Sequence, residues 1–242
     1  WVFVRVVTDE GVHGVGEGTL EFRERTVRQA IEELDELCIG RDPQDVELIW
    51  RDGYRDSYWR TGPVLGSALS AVEMALWDIK GKILGVPVWQ LLGGKVRDSV
   101  PCYANAWFVG AKTPDQFAQK ARETVDRGFA ALKWDPFGSA WLTLDRKELT
   151  AAIETVAAVS NAVNGRADII IEGHGRFDVP TAVRVADALT VYAPLWFEEP
   201  IPPENLEGLA EVKRRSRIPI SAGERLYSRW QFKSLFDLQA AD

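Results

Sequence analysis

The sequence contains little cysteine, and the placement of its cysteines excludes two kinds of site. Cys38 and Cys102 are the only two cysteines among 242 residues, and neither lies in a Cys-x-x-Cys motif. We therefore expect neither a disulfide framework nor a thiolate metal site. Two free, buried thiols suit a reducing compartment, which predicts a cytoplasmic location.

Basic charge and long apolar stretches are also lacking. The chain has 36 acidic against 29 basic residues and a formal net charge of −7. This balance argues against a nucleic-acid partner, because such a partner requires a basic face. No stretch approaches the ~20 consecutive apolar residues of a membrane helix, and we expect no signal peptide before the first strand. We expect no membrane partner.

The first part of the chain has the pattern of a small α+β domain. Residues 1–7 alternate like a strand, a turn follows at residues 9–11, and a second strand leads to Gly18. Apolar residues then recur at helical spacing from Thr26 until Gly40, and another helix is expected after Pro43. The apolar stretch 63–84 predicts a buried helix that ends before Gly85. We assign residues 1–92 to this domain.

The rest of the chain, residues 93–242, alternates strand and helix patterns. Strands are predicted at 100–105, 129–134, 168–172, 195–199 and 218–222, each followed by a helix. Such a series of βα units builds a parallel sheet, either doubly wound or closed into a barrel. A (β/α)8 (TIM) barrel needs eight units and ~250 residues, and only about five units are present here. We predict an α/β fold, which in the barrel alternative is a partial barrel domain, and we expect the chain to be a piece of a longer polypeptide.

Three glutamates occupy equivalent places in successive βα units. Glu172, Glu198 and Glu224 each follow an apolar strand, at equal intervals of 26 residues (172 to 198 and 198 to 224). Barrel enzymes keep their chemistry at the carboxyl ends of the strands. Three converging carboxylates repel one another unless a cation lies between them, and Mg2+ prefers such oxygen ligands. The spacing therefore predicts a Mg2+ site.

Three segments carry a resemblance to a known family. Phe197–Pro200 (Phe-Glu-Glu-Pro), Ala222–Arg225 (Ala-Gly-Glu-Arg) and Ala75–Lys82 (Ala-Leu-Trp-Asp-Ile-Lys-Gly-Lys) resemble signature segments of the enolase superfamily, mandelate racemase subgroup. The resemblance implies that a barrel holds Mg2+ with three acids, and that the metal stabilises the enediolate formed when a base removes the proton beside a carboxylate. The first metal ligand in this subgroup is commonly Asp, whereas this sequence has Glu172.

A histidine beside the first predicted metal ligand narrows the activity. His174 lies two residues beyond Glu172, in the segment Glu-Gly-His-Gly-Arg-Phe, and the only other histidine is His13 in the N-terminal hairpin. An imidazole titrates near neutral pH and can protonate a departing hydroxyl, which a dehydratase requires and a racemase does not. The segment resembles galactonate and gluconate dehydratases, and the resemblance implies a substrate contact for Arg176.

The segment Lys133–Gly138 (Lys-Trp-Asp-Pro-Phe-Gly) also separates dehydratases from racemases. Racemizing relatives typically carry Lys-x-Lys here, and this sequence has Asp135 in place of the second lysine. The run resembles the gluconate type more than the galactonate type. We expect Lys133 to hold the substrate carboxylate. Asp135 binds a substrate hydroxyl or pairs with Lys133, and the sequence leaves both alternatives open.

Further residues are assigned by their position relative to these segments. Glu199 and Arg225 adjoin predicted metal ligands, and we expect them to support the ligands without binding the ion. The resemblance implies that residues 1–92 form a capping domain, in which two loops close over the barrel mouth and contact the substrate. The residues in the matching segments are Arg23, Tyr58, Trp59 and Arg60. The stretch Gly14–Gly18 lacks the spacing of a nucleotide-binding loop and opens no helix, so we assign it no ligand.

Together these features predict a hydro-lyase that converts a C5 or C6 aldonic acid into a 2-keto-3-deoxy acid. The resemblance implies that the base removing the C2 proton is a histidine on the seventh strand, beyond Asp242. Alternatives are a racemase, epimerase or cycloisomerase on the same scaffold, or a truncated homologue without catalytic activity. We expect a homo-oligomer that acts on a small-molecule sugar acid. The sequence leaves the stereochemistry of that substrate open.

Overall fold

The computed structural model describes residues 1–60 and 62–242, which form two compact units, Trp1–Asp98 and Ser99–Asp242. The first unit opens with an antiparallel hairpin in which Phe3 is paired with Glu17 and Val7 with His13. Helices follow the hairpin. The elements of this unit are β1 (Phe3–Val7), β2 (His13–Glu17), α1 (Glu24–Glu32), α2 (Asp35–Cys38), α3 (Val46–Arg55), α4 (Pro63–Leu84) and α5 (Val88–Leu91).

Helix α4 packs directly on the hairpin and explains the glycine-rich stretch. A Cβ atom on Gly14 would lie 1.9 Å from the carbonyl oxygen of Ala75, and one on Gly16 would lie 1.8 Å from that of Ala71. Only glycine permits so close an approach of two backbones. These glycines therefore serve the packing of a helix on a strand.

Two details of the first unit differ from the sequence-based prediction. The helix predicted from Thr26 towards Gly40 is divided into α1 and α2, because the N–H of Leu34 bonds to the carbonyl of Ile31 and tightens the chain at the break. Cys38 is only partly buried.

The second unit contains a four-stranded parallel sheet with the strands in sequential order. Each strand is followed by a helix, as the alternating pattern predicts. The elements of this unit are α6 (Pro114–Asp126), β3 (Ala131–Trp134), α7 (Arg146–Val163), β4 (Asp168–Glu172), α8 (Val179–Leu189), a 3-10 turn (Thr190–Tyr192), β5 (Phe197–Glu198), α9 (Leu206–Arg215), β6 (Ile220–Ser221) and α10 (Arg229–Asp237).

The first strand predicted for this unit is reduced to a single bridge. Ala104 pairs with Leu132 in parallel, and the other residues of 100–105 lie outside any strand. Pro101 lacks the N–H that a ladder requires. Cys102 lies in this stretch and is exposed, so the prediction of a buried thiol is wrong for it.

The two faces of the sheet have different neighbours. Leu132, Trp134, Ile169, Ile171 and Phe197 are buried in the hydrophobic core together with residues of the helices. Because side chains alternate along a strand, Lys133, Glu172 and Glu198 lie on the opposite face. Capping side chains start the helices after the strands, for example Asp145 at α7 and Asp178 at α8. Within residues 1–60 and 62–242, no helix has the length and apolar character needed to cross a bilayer.

Candidate metal centre

Three glutamates meet at the carboxyl ends of β4, β5 and β6. Glu172 and Glu198 are directly paired on neighbouring strands, and Glu224 follows in the loop after β6. One carboxylate oxygen from each lies within 4.8 Å of the others. Glu172 is 2% exposed, whereas the side chain of Glu224 is 48% exposed. The predicted convergence of these carboxylates is therefore present, and the cluster is open on the side of Glu224.

This donor set fits a hard divalent cation. All three groups offer carboxylate oxygens, and their mutual approach leaves anionic charge in a largely buried place, which a cation of Mg2+ type would offset. Glu172, Glu198 and Glu224 are the residues that would hold it.

Lys133 lies between two of these carboxylates. Its Nζ atom is 2.7 Å from Oε2 of Glu172 and also contacts Oε1 of Glu198. The strand register places Lys133 opposite Ile170, two residues before Glu172 and on the same face of the sheet. The ammonium group therefore neutralises part of the charge of the cluster.

The cluster shifts the ionisation of its own members. Burial raises the pKa of Glu172 to about 7, against the opposing hydrogen bonds from Lys133 and from the backbone N–H of His174. Burial acts in the same direction on Glu198, but hydrogen bonds from Lys133 and Trp196 hold the pKa of that carboxyl below its usual value. Burial alone would lower the pKa of Lys133, and its two carboxylate partners raise it instead. Lys133 is therefore a cation throughout the physiological range.

Aromatic residues that the sequence analysis did not assign to the site contact Lys133 and Glu198. The indole N–H of Trp196 donates to Oε2 of Glu198 at 2.9 Å, and that of Trp107 donates to the carbonyl of Lys133 at 3.0 Å. The ring of Tyr103 lies 5.6 Å from Nζ of Lys133. The sequence could have indicated Trp196, because it lies two residues before Glu198 and residues two apart on a strand share a face, where an indole N–H needs an acceptor. No comparable sequence pattern indicates Trp107 or Tyr103.

Asp135, His174 and Arg176 form a second cluster beside the glutamates. Nδ1 of His174 lies 2.6 Å from Oδ2 of Asp135, and the same oxygen contacts the guanidinium of Arg176. The other oxygen of Asp135 accepts from the N–H of Phe137 at 2.8 Å. The hydrogen bond that the ring of His174 donates to the carboxylate of Asp135 raises the pKa of His174, although partial burial opposes the shift. The carboxylate therefore favours the protonated imidazolium.

The structure changes the expectations for two of these residues. Arg176 is 8% exposed, and besides Asp135 it donates to the carbonyls of Gly173 and Gly138, at 2.9 and 2.8 Å. Its guanidinium therefore supports Asp135, and the substrate contact predicted for Arg176 stays a prediction. Asp135 is bound to His174 and Arg176 in the structure, and its contact with a substrate hydroxyl stays a prediction.

The two residues predicted to support the ligands form an ion pair with each other. Nε of Arg225 donates to Oε2 of Glu199 at 2.6 Å, and Glu199 is 1% exposed. Glu199 has φ +36, a left-handed conformation that is uncommon for residues other than glycine. This backbone turn ends β5 directly after Glu198.

The four predicted substrate contacts of the capping domain lie in the first unit and are exposed. Tyr58 and Trp59 meet edge to face with ring centroids 5.2 Å apart. Arg60 donates to the carbonyl of Arg55 at 3.1 Å, and Arg23 donates to that of Phe22 at 2.9 Å. Their role in substrate binding stays a prediction.

Comparison with known proteins places the chain in a family. Residues 1–93 match the mandelate racemase / muconate lactonizing enzyme N-terminal domain, and residues 116–242 match the enolase C-terminal domain-like family. The chain belongs to the enolase superfamily, mandelate racemase subgroup. The predicted resemblance is thereby confirmed.

Curated relatives within this superfamily carry dehydratase names. The D-gluconate dehydratase of Thermoproteus tenax is 41% identical over 228 residues, which are 94% of this chain and 46% of the relative. The D-galactonate dehydratase of Variovorax paradoxus is 38% identical over 237 residues, which are 98% of this chain and 61% of the relative. The chain thus spans about half to three fifths of the length of these relatives.

Solved structures of the superfamily have the same fold. A Mesorhizobium loti protein superposes with a TM-score of 0.94 at 34% identity, covering 99% of this chain and 66% of that protein. A mandelate racemase/muconate lactonizing enzyme-like protein from Rubrobacter xylanophilus gives a TM-score of 0.89 at 36% identity, covering 99% and 67%. The prediction of an N-terminal cap followed by a partial (β/α) barrel is confirmed.

Proposed function

We propose that this protein catalyses the Mg2+-dependent dehydration of a C5 or C6 aldonic acid to a 2-keto-3-deoxy acid. The observation that carries the proposal is that three carboxylates converge within 4.8 Å and that His174 lies next to them, its backbone N–H donating to Oε1 of Glu172 at 2.8 Å. The names of the D-gluconate and D-galactonate dehydratase relatives support the same substrate class.

Glu172, Glu198 and Glu224 would hold the Mg2+ ion. When bound, the ion supplies positive charge that offsets the negative charge developing on the substrate carboxylate as the C2 proton is lost. The open side of the cluster, at Glu224, is where a substrate carboxylate can approach.

Lys133 contributes a permanent positive charge in the same place. Its ammonium group is 2.7 Å from Glu172, and the register of β3 and β4 places it on the same face of the sheet as the glutamates. We assign it to binding and orienting the substrate carboxylate, whose charge it partly neutralises. Tyr103 and Trp196, whose ring centroids are 6.1 Å apart, limit the freedom of the lysine side chain.

His174 acts as the acid for the departing hydroxyl group. Asp135 binds Nδ1 of the ring, so Nε2 is the nitrogen left to face the substrate, and the side chain is 55% exposed. In the elimination a base removes the C2 proton, and the electron pair of the former C2–H bond forms the C2–C3 double bond. The C3–O bond breaks as the proton on Nε2 passes to that oxygen, and the hydroxyl group leaves as water. The resulting enol transfers its hydroxyl proton to C3 and becomes the 2-keto acid. Positioned proton donors of this kind typically contribute about 10²–10⁴-fold in rate.

The same geometry disfavours the racemase alternative. Racemizing relatives typically carry a second lysine at the position of Asp135, where it serves as a base. This chain has an aspartate there that is bound to His174 and Arg176. No group at that position can remove and return a C2 proton while those contacts persist.

A direct assay tests the proposal. The protein is expressed from its complete coding sequence, so that the base expected after Asp242 is included. It is incubated with a panel of C5 and C6 aldonates, with Mg2+ or with a chelator in excess, and formation of a 2-keto-3-deoxy acid is measured. We expect turnover of one or two aldonates that stops when the metal is chelated and returns with added Mg2+. Interconversion of epimers without loss of water would instead support the racemase, and absence of turnover together with absence of Mg2+ binding would support a non-catalytic homologue.

A further inference from the structure

A buried ion pair joins the immediate sequence neighbours of two predicted metal ligands. Glu199 follows Glu198, and Arg225 follows Glu224. The guanidinium of Arg225 donates through Nε to Oε2 of Glu199 at 2.6 Å. The pair therefore connects the end of β5 with the loop after β6, one residue from a ligand on each side.

The guanidinium also reaches the end of β4, which carries the third ligand. A Cβ atom added to Gly175 would lie 2.5 Å from Nη2 of Arg225, so the guanidinium packs against that glycine. The N–H of Gly175 donates to the carbonyl of Glu199 at 2.7 Å, and the N–H of Gly173 donates to that of Glu198 at 2.8 Å. One side chain thus contacts all three strand ends that hold carboxylates.

The arrangement is unfavourable for stability by itself. Glu199 is 1% exposed and has φ +36. Removing a carboxylate from water costs free energy even when it is paired, and so does a left-handed backbone at a residue other than glycine. Packing alone would be served better by an apolar residue.

We propose that Glu199 and Arg225 form a positioning pair that fixes the separation of the Glu198 and Glu224 carboxylates and thereby sets the affinity of the site for Mg2+. Neither side chain binds the ion. Glu224 depends on the pair most, because its side chain is half exposed and its Oε1 lies 3.8 Å from Nε of Arg225. The inference rests on the metal site of the proposed function and is independent of which sugar acid is dehydrated.

Direct measurement of Mg2+ binding tests this role without recourse to activity. Titration calorimetry on metal-free protein gives the dissociation constant for wild type, Glu199→Gln and Arg225→Lys. Glu199→Gln keeps the size of the side chain and removes its charge. Arg225→Lys keeps the charge and removes the guanidinium fork. We expect the dissociation constant to rise about 10–100-fold in each, the usual effect of losing a group that orients a metal ligand.

Matched substitutions away from the site serve as controls. Arg166→Lys alters an exposed pair with Asp126, and Glu211→Gln alters an exposed pair with Arg215. Both should bind Mg2+ as wild type does. Circular dichroism and thermal unfolding show which variants are folded, and if Glu199→Gln does not fold, the milder Arg225→Lys decides the question.

The double variant Glu199→Gln/Arg225→Lys separates a joint role from two independent ones. If the residues act as one pair, the double variant should lose little more affinity than either single variant. Wild-type affinity in Arg225→Lys, or losses that multiply in the double variant, would overturn the positioning pair while leaving the proposed function intact. A wild-type protein that binds no Mg2+ would overturn the metal site and this inference with it.

Discussion

Nδ1 of His174 lies 2.6 Å from Oδ2 of Asp135, and the guanidinium of Arg176 binds that same oxygen. Because the carboxylate fixes one ring nitrogen, the other nitrogen has a defined direction. A histidine placed in this way can give up a proton and keep its orientation, as a general acid requires.

Replacing His174 with Asn should separate the two halves of the reaction. His174 has φ +49, and asparagine tolerates this left-handed conformation better than most residues, so the backbone should be retained. We expect dehydration to fall about 10²-fold or more, because the hydroxyl leaves without a proton donor. Exchange of the C2 hydrogen with deuterium oxide, followed by NMR, should continue. The other histidine provides the control, and His13→Asn should keep both activities; unchanged dehydration in His174→Asn would contradict the assigned role.

Trp196→Phe should weaken Mg2+ binding. The substitution removes the indole N–H that donates to Oε2 of Glu198 at 2.9 Å and keeps most of the ring volume. We expect the Mg2+ dissociation constant to rise roughly tenfold, since the carboxylate loses a group that orients it. Calorimetric titration measures the change, and Trp141→Phe, at a side chain that is 66% exposed, should bind as wild type does. Equal affinities for the two variants would show that the indole has no part in the site.

Gly16→Ala should destabilise the first unit. The new methyl group would lie 1.8 Å from the carbonyl oxygen of Ala71, so the hairpin and α4 must separate. Overpacking of this kind typically lowers the free energy of unfolding by about 1–3 kcal/mol, which urea denaturation followed by circular dichroism can detect. Val15→Ala, on the exposed face of the same strand, is the matched control and should change stability much less. A Gly16→Ala variant as stable as the control would refute the close approach of α4.

The two thiols should react with Ellman's reagent at different rates. Cys102 is exposed, whereas Cys38 is partly buried, and burial together with the nearby Asp35 raises the pKa of the Cys38 thiol. The thiolate is the reactive form, so a raised pKa lowers the rate of Cys38 at neutral pH, and the rate should rise as the pH increases. We expect a fast and a slow phase at pH 7.5, and Cys102→Ser should abolish only the fast one. Loss of the slow phase in that variant would contradict the assignment.

Much of the site could be predicted from the sequence because its residues recur with the βα unit. Glu172, Glu198 and Glu224 each follow an apolar strand at the same interval, and the carboxyl ends of parallel strands lie along one edge of a sheet. That regularity predicts their convergence before any coordinate is known. The buried helix 63–84 was predicted for a similar local reason, since it has apolar residues all round and Gly85 directly after it.

Partners far apart in the sequence were decided by the tertiary structure alone. For Asp135 the sequence left open a substrate hydroxyl or Lys133 as the partner. In the folded chain the loops after β3 and β4 meet, and Asp135 is bound to His174 and Arg176. Local patterns specify which face a side chain occupies, because the strand and helix periods are set by backbone geometry. They do not specify which distant side chain lies within hydrogen-bonding distance, since that depends on how whole loops pack. The sequence by itself determined the spacing of the three acids, the ends of the helices and the membership in the family. The contacts of Arg176, of Trp196 and of the Glu199–Arg225 pair depend on the tertiary structure.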